Sequence, residues 1–274
     1  MKNKLDEAQM RFFRENGYLF PVTAIDAGRA SQIRLQLERH EQSQGLLKGT
    51  MLHRPHLLFT WAASLIRDPG ILDAVEGILG PNILAWSSGF FIKEARDRRF
   101  VSWHQDSTYW GMEPPDIITA WLALSESDVQ NGAMRVIPQT HLSEQMPHRE
   151  TLSADNMLSR GQEVAVDVDE DRAVALELAA GQMSLHHVRL VHGSEPNPTD
   201  RRRIGLAIRY MPTYVRQTTG VRDTATLVRG VDEFGNFDLE PAPRSDLSPE
   251  ALRFHAHVCR SKDAVQKAVF TDSD

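Results

Sequence analysis

From residue 83 onward the chain is a succession of short β-like runs broken by turn residues, and this punctuation constrains the fold more than anything else in the sequence. The runs occupy 83–95, 117–124, 133–137, 163–168, 173–178, 182–191 and 204–211. Asn131-Gly132, Pro138, Ala180-Gly181 and Pro196-Asn197-Pro198 separate them. Many short strands with turn punctuation predict an all-β barrel or sandwich. The stretch 139–162 is polar and irregular and reads as an insertion.

The first eighty residues read mainly helical. Leu5, Ala8, Phe12 and Phe13 recur at helical spacing, and Gly17 is a stop. Tyr18 to Val22 suits a short strand. A second helix starts near Asp26 and carries Ile33 and Leu37 on one face. Asp68 can cap a third, with Pro69 in its first turn and Ile71, Val75, Ile78 and Leu79 as its apolar stripe. Gly80-Pro81 ends it, and Ser248-Pro249-Glu250 opens a C-terminal helix. No linker divides the chain. The expectation is one domain over 1–274, with a helical part at about 1–80, a β core at about 81–212 and a lid and helix at about 213–274.

Composition narrows the chemistry. The 31 basic and 37 acidic residues give a net charge of −6, which argues against a nucleic-acid partner. The one cysteine, Cys259, excludes an intrachain disulfide and any thiolate-held zinc or iron–sulfur cluster. A metal site must use histidine and carboxylate, and eleven histidines leave room for it. No segment approaches the roughly 18 apolar residues of a membrane span. The charged N-terminus lacks the apolar stretch of a secretory signal, so a cytoplasmic location is expected. Oligomeric state is left open.

The most informative segment is Ser102-Trp103-His104-Gln105-Asp106. On a strand, positions i and i+2 share a face, so His104 and Asp106 can offer an imidazole and a carboxylate to one ion. These are two of the three ligands of a 2-His-1-carboxylate triad. Alone, the tripeptide is weak, since His-x-Asp arises by chance. For the third ligand, seven histidines lie in helical, loop or tail segments, leaving His186, His187 and His192. Strand alternation sends His186 and His187 to opposite faces. His192 opens His192-Gly193-Ser194, followed by a turn and the basic run 201–203. An arginine on that returning strand can take a carboxylate in bidentate fashion.

His104-Gln105-Asp106, Asn131-Gly132 with Pro138-Gln139-Thr140-His141, and His192-Gly193-Ser194 with Arg203 together resemble the phytanoyl-CoA dioxygenase family. Gly80-Pro81-Asn82-Ile83 and Ala120-Trp121 are similar to further family positions, and the resemblance covers about residues 70–212. It implies a double-stranded β-helix, a cupin-like jelly roll around the metal. It implies Fe(II), 2-oxoglutarate as co-substrate, O2, and release of succinate and CO2. His104, Asp106 and His192 would be the iron ligands. Arg203, Ser194 and Trp121 would hold 2-oxoglutarate. The family's upstream lysine contact has no evident counterpart; Lys93 lies too late for that alignment. Halogenating relatives carry Ala or Gly at the carboxylate position. Asp106 therefore implies a hydroxylase rather than a halogenase.

Around this core the residues admit several readings. Gln105 faces away from the metal and reads as structural, and His141 ends a motif whose role looks structural. Tyr109 and Trp110 could wall a substrate pocket or pack at the barrel mouth. Segment 215–230 carries Arg216, Arg222 and Arg229 against one acid, Asp223; it is a solvated loop or a lid over an anionic substrate, with Lys93 as a helper. The leading expectation is a hydroxylase acting on a C–H bond of a small metabolite. The alternatives are a non-catalytic cupin-like metal binder or sensor, and the same enzyme class with desaturation, epimerisation or cyclisation as its outcome.

Overall fold

A computed structural model describes residues 3–271 apart from 152, 159 and 160; the side chains of Tyr109 and of residues 262–271 also lie outside the description. The N-terminal part holds α1 (Glu7–Asn16), β1 (Tyr18–Thr23), α2 (Ala27–Gln44), α3 (Thr60–Leu65) and α4 (Pro69–Leu79). Asp6, Asp26 and Asp68 each precede a helix and accept a first-turn N–H, from Gln9 at 2.8 Å, Arg29 at 2.8 Å and Gly70 at 2.7 Å. These are donors that a helix start leaves unsatisfied.

The strands follow as β2 (Ile83–Lys93), β3 (Val101–His104), β4 (Met112–Glu113), β5 (Ile118–Ala123), β6 (Met134–Val136), β7 (His148–Glu150), β8 (Gln162–Val164) and β9 (Val174–Ala175). Then come β10 (Gln182–His187), β11 (His192–Ser194), β12 (Arg203–Pro212), β13 (Arg216–Gln217), β14 (Thr224–Arg229), β15 (Asp238–Leu239) and the helix α5 (Pro249–Thr271). Seven form the major sheet, in the order β1-β10-β5-β12-β2-β14-β15, and four the minor sheet, β3-β11-β6-β9. The architecture is the expected double-stranded β-helix.

Alternation along the strands decides which residues reach the interior. Ile204, Leu206, Ile208 and Tyr210 of β12 pack with Ile33, Leu37 and Ile71 of the helices in one apolar cluster. Ala207 instead packs between the sheets with Trp121, Met134 and Val136. Odd positions of β12 therefore point inward, which brings Arg203, Gly205, Ala207 and Arg209 inside. The same parity turns Thr119 and Trp121 of β5 inward. Gly205 is what admits the indole: a Cβ there would lie 2.0 Å from Trp121 Cζ2.

Several sequence expectations are corrected. The runs 163–168 and 173–178 shrink to Gln162–Val164 and Val174–Ala175. The run 182–191 breaks after His187, where a turn closes with Leu190 N–H on the His187 carbonyl at 2.9 Å. His192 thus opens a new strand in the other sheet rather than ending the first. Half of 215–230 is strand rather than loop. Residues 224–229 form β14, which pairs with β2 in the major sheet, and Thr224, Ala225 and Thr226 are buried. A β-branched run had been masked by the arginines flanking it. Among the described residues, no helix is long and apolar enough to cross a membrane.

Candidate metal centre

The site begins with a register. β3 and β11 are antiparallel neighbours in which His104 pairs directly with His192, so two imidazoles stand side by side with ring centroids 4.1 Å apart. Asp106 joins them by a route that simple strand alternation does not describe. β3 ends at His104, and Asp106 opens a 3-10 turn. The donor atoms of His104, Asp106 and His192 lie within 4.8 Å of one another. His104 Nε2 is 3.4 Å from Asp106 Oδ1.

Second contacts fix the orientation of both rings. His104 Nδ1 lies 2.9 Å from the Ser102 carbonyl and His192 Nδ1 2.9 Å from the Leu190 carbonyl. A carbonyl only accepts, so each Nδ1 carries the proton and each Nε2 lone pair faces the centre, the arrangement metal-ligating histidines use. Burial pushes His192 well below its ordinary value and keeps it neutral. Burial alone would raise the Asp106 carboxyl. The polar contact with His104, the neighbouring His192 and the Arg209 cation outweigh it and hold the carboxyl below its ordinary range. Two imidazoles and one carboxylate, converging in a buried pocket, suit a divalent first-row metal. His186 stands just behind, with Nε2 4.0 Å from Asp106 Oδ2 and neither ring nitrogen hydrogen-bonded among the described residues. Burial lowers it to about 4.

The triad opens on a cavity of about 430 Å³ between the sheets. At one end two basic side chains meet. Lys93 on β2 and Arg203 on β12 are direct cross-strand partners, and both are buried. Lys93 Nζ donates to Ser194 Oγ at 2.8 Å and to the Glu195 carbonyl. Arg203 Nη1 donates to the Gly132 carbonyl, while its Nε has no partner among the described residues. The Arg203 guanidinium lies over the Trp121 ring, 5.3 Å from its centroid. Gly132 makes this approach possible. Its φ of 79° is left-handed, and a Cβ would stand 2.4 Å from the Glu195 carbonyl. Like charges directly opposite on a sheet are unfavourable. Burial lowers Arg203 to about 10, and burial together with Arg203 lowers Lys93 to about 6. The Lys93 amine and the Arg203 guanidinium are thus held face to face with no carboxylate in salt-bridge reach among the described residues.

The other end opens into a wider cavity of about 930 Å³, which shares Phe91, Asp106 and Arg209 with the first and is walled by Trp86, Phe90 and Trp110. Trp110 packs on Trp86 with centroids 4.8 Å apart.

The sequence-predicted residues therefore divide. His104, Asp106, His192, Ser194, Arg203 and Trp121 come together. Trp110 walls the outer cavity, and Tyr109's side chain lies outside the described residues. Lys93 is corrected from substrate helper to partner of Arg203 and Ser194, because β2 runs antiparallel to β12 and delivers its last residue there. Arg216 and Arg222 do not reach the cavity. Arg216 pairs with Glu113 at 3.8 Å and Arg222 with Asp238 at 2.9 Å on the surface. Arg229 is held by Asp73 and Glu76 of α4. Each cation of that segment is matched by an acid distant in sequence. Gln105 is structural, as expected, with Nε2 on the Arg189 carbonyl at 2.7 Å. Arg209 had not been singled out; its signal was an arginine inside the apolar run IGLAIRYM, six residues past Arg203 and so on the same strand face.

A model of the phytanoyl-CoA dioxygenase family matches residues 13–205. The chain belongs to this family. Among its relatives, a Stutzerimonas stutzeri protein described as a "probable alpha-ketoglutarate-dependent hypophosphite dioxygenase" is 35% identical over 162 residues, 58% of this chain and 56% of that protein. The peroxisomal phytanoyl-CoA dioxygenase of Bos taurus is 27% identical over 222 residues, 71% of this chain and 65% of that one. This member of the family thus spans less than two thirds of the length of either. Among solved structures, the apo form of the non-heme monooxygenase ThoJ superposes with a TM-score of 0.86 at 33% identity, covering 96% of this chain and 99% of that one.

Proposed function

We propose that the chain is an Fe(II)- and 2-oxoglutarate-dependent oxygenase that hydroxylates a small molecule. The observation that carries this reading is the pairing of two features along one cavity: a His–Asp–His donor set and, at one end, Arg203 and Ser194, with the Lys93 amine bonded to Ser194 behind them. A metal-binding or sensor protein needs only the first. A dianion that chelates a metal at one end and presents a carboxylate at the other needs both. In this reading His104, Asp106 and His192 hold the iron, and Arg203, Lys93 and Ser194 take the distal carboxylate of 2-oxoglutarate. Trp121 forms the wall along which the carbon chain lies.

With iron, 2-oxoglutarate and O2 bound, such a centre supplies oxidative decarboxylation to succinate and CO2 coupled to insertion of one oxygen atom into a substrate C–H bond. The protein's own residues orient and shield. The Ser102 and Leu190 carbonyls fix the imidazoles, and the aromatic walls exclude water. Asp106 fills the carboxylate position, which favours hydroxylation over halogenation. The test is anaerobic loading with Fe(II) and 2-oxoglutarate, then O2, with succinate quantified. Wild type forms succinate even without substrate, through slow uncoupled turnover, and His192→Ala does not. Absence of succinate from wild type would refute the reading.

A further inference from the structure

Arg209 is a cation the proposed chemistry does not use. It points inward from β12 between two aromatic rings, with its guanidinium carbon 5.6 Å from the Phe91 centroid and 5.8 Å from that of Trp110. Among the described residues it makes no hydrogen bond and no salt bridge, and its Nε is buried without a partner. Burial lowers it from its ordinary value, and the carboxylate pulling it back is Asp106, whose charge the proposed metal would engage. Taking a cation from water without a partner is costly. A fold that retains one beside its reactive centre keeps it for an anion that arrives from outside.

Position decides which anion. Arg203 and Arg209 are six residues apart on one strand face, so their Cα atoms stand about 20 Å apart. Lys93 and Ser194 lie at the Arg203 end. Thr119, the cross-strand partner of Arg209, reaches Asp106 at 3.4 Å, so Arg209 lies at the triad's outer side. It lines both cavities. In the outer one Asp106 is the only carboxylate lining the wall among the described residues, and the second cation there, Arg99, is already held by Asp97 at 2.5 Å. The apolar walls, Trp86, Phe90 and Trp110, complete a pocket with one open cationic point.

We infer that Arg209 anchors the substrate through an oxyanion head, a carboxylate or a phosphorus oxyanion. Its guanidinium fork meets two oxygens of that head, and the indoles of Trp86 and Trp110 flank the rest of the molecule. This rests on the oxygenase reading for what happens next, but binding can be measured without turnover. The metal-loaded protein, kept anaerobic with 2-oxoglutarate, is titrated calorimetrically with acetate, benzoate, hypophosphite, methylphosphonate and phenylphosphonate. Acetamide and benzamide are the uncharged controls. Wild type should bind at least one oxyanion and not its amide, and whether a carboxylate or a phosphorus acid binds tells the two sources apart. Arg209→Gln should weaken that binding by about tenfold to a hundredfold, with Arg209→Lys in between. The 2-oxoglutarate affinity of these variants should fall less than their oxyanion affinity. Ligand-free Arg209→Gln should melt at or above the wild-type temperature, since it sheds an unpaired cation, whereas a structural arginine would leave a destabilised variant. Wild type indifferent to every oxyanion, undiminished binding in Arg209→Gln, or a loss confined to 2-oxoglutarate would each overturn the assignment. Succinate formation by wild type, scored separately, shows whether the oxygenase reading itself stands.

Discussion

Replacing Lys93 by Met should make the ligand-free protein more stable and its 2-oxoglutarate binding weaker, and the two effects have one cause. Lys93 is fully buried, faces Arg203 across the strand pair and, among the described residues, hydrogen-bonds only the neutral acceptors Ser194 Oγ and the Glu195 carbonyl. Burial and the neighbouring guanidinium lower its amine from 10.5 to about 6. At pH 7 folding must therefore strip a proton that the unfolded chain holds, at about 1.4 kcal/mol per pH step. The ceiling is about 5 kcal/mol, so the gain expected from Lys93→Met, which keeps the apolar stem, is about 2–5 kcal/mol. The sign gives a second signature. Between pH 6 and 10 the unfolded chain binds more protons here than the folded one, so wild-type stability rises with pH through that window. Lys93→Met should lack that rise.

A bound carboxylate reverses the balance, because an anion beside Lys93 favours the charged amine. Binding at neutral pH then takes up close to one proton. Wild-type 2-oxoglutarate affinity should fall by up to tenfold for each unit that pH rises above about 6, until the bound-state value is reached. Removing a charge-assisted contact costs about 1.5–3 kcal/mol, so Lys93→Met should bind 2-oxoglutarate roughly 10- to 150-fold more weakly at pH 7, with a flatter pH profile. Calorimetry of the anaerobic Fe(II) protein in buffers of different ionisation heat reads the proton directly. Chemical denaturation of the ligand-free protein reads the stability. A variant both less stable and unchanged in 2-oxoglutarate affinity would refute the placement of Lys93 at the co-substrate end.

Three further outcomes follow from neighbouring geometry. Arg203→Ala should raise the 2-oxoglutarate requirement by about 30- to 4000-fold, the cost of losing one partner of a buried charge pair, while metal binding measured by calorimetry stays within a few-fold. Glu240 accepts Arg54 Nη1 at 2.6 Å, lies 3.1 Å from His56 Nε2 and accepts Thr226 Oγ1 at 2.7 Å. Although burial alone would raise it, the Arg54 charge and the hydrogen bonds from His56 and Thr226 bring it from 4.5 to about 2. Glu240→Gln should therefore cost about 3–5 kcal/mol in denaturation, and the wild-type contribution should be full above pH 4.5 and lost as pH falls toward 2. Arg216→Glu and Arg222→Glu should leave oxyanion and 2-oxoglutarate affinities within about twofold, since both side chains are exposed and paired on the surface; a larger change in either would restore the 215–230 segment as a substrate element.

What could be read from the sequence was whatever is local along the chain. The caps Asp26 and Asp68 act within a few residues of themselves, and a β core follows from periodicity and turns. The triad was legible for another reason: His-x-Asp and His-Gly-Ser are short and their order matches a family. Even there the mechanism of convergence was not local. Asp106 meets His104 through a turn, and His192 meets it because β11 pairs with β3, which no spacing along the chain states. The cations show the limit most clearly. Arg216, Arg222 and Arg229 looked like an unbalanced patch because Glu113, Asp238, Asp73 and Glu76 are far away in sequence and near in space. Lys93 was read only as a helper toward the substrate, and Arg209, inside an apolar run, drew no reading. Folding pairs the arginines that were conspicuous with acids and leaves Arg209, which was not, without a salt bridge among the described residues. In a jelly roll whose inward face is set by alternation, an inward charge on a central strand is too costly to keep without a use. The parity of Arg203 and Arg209 on β12 is therefore the most informative pattern in the chain, one cation for each end of the cavity.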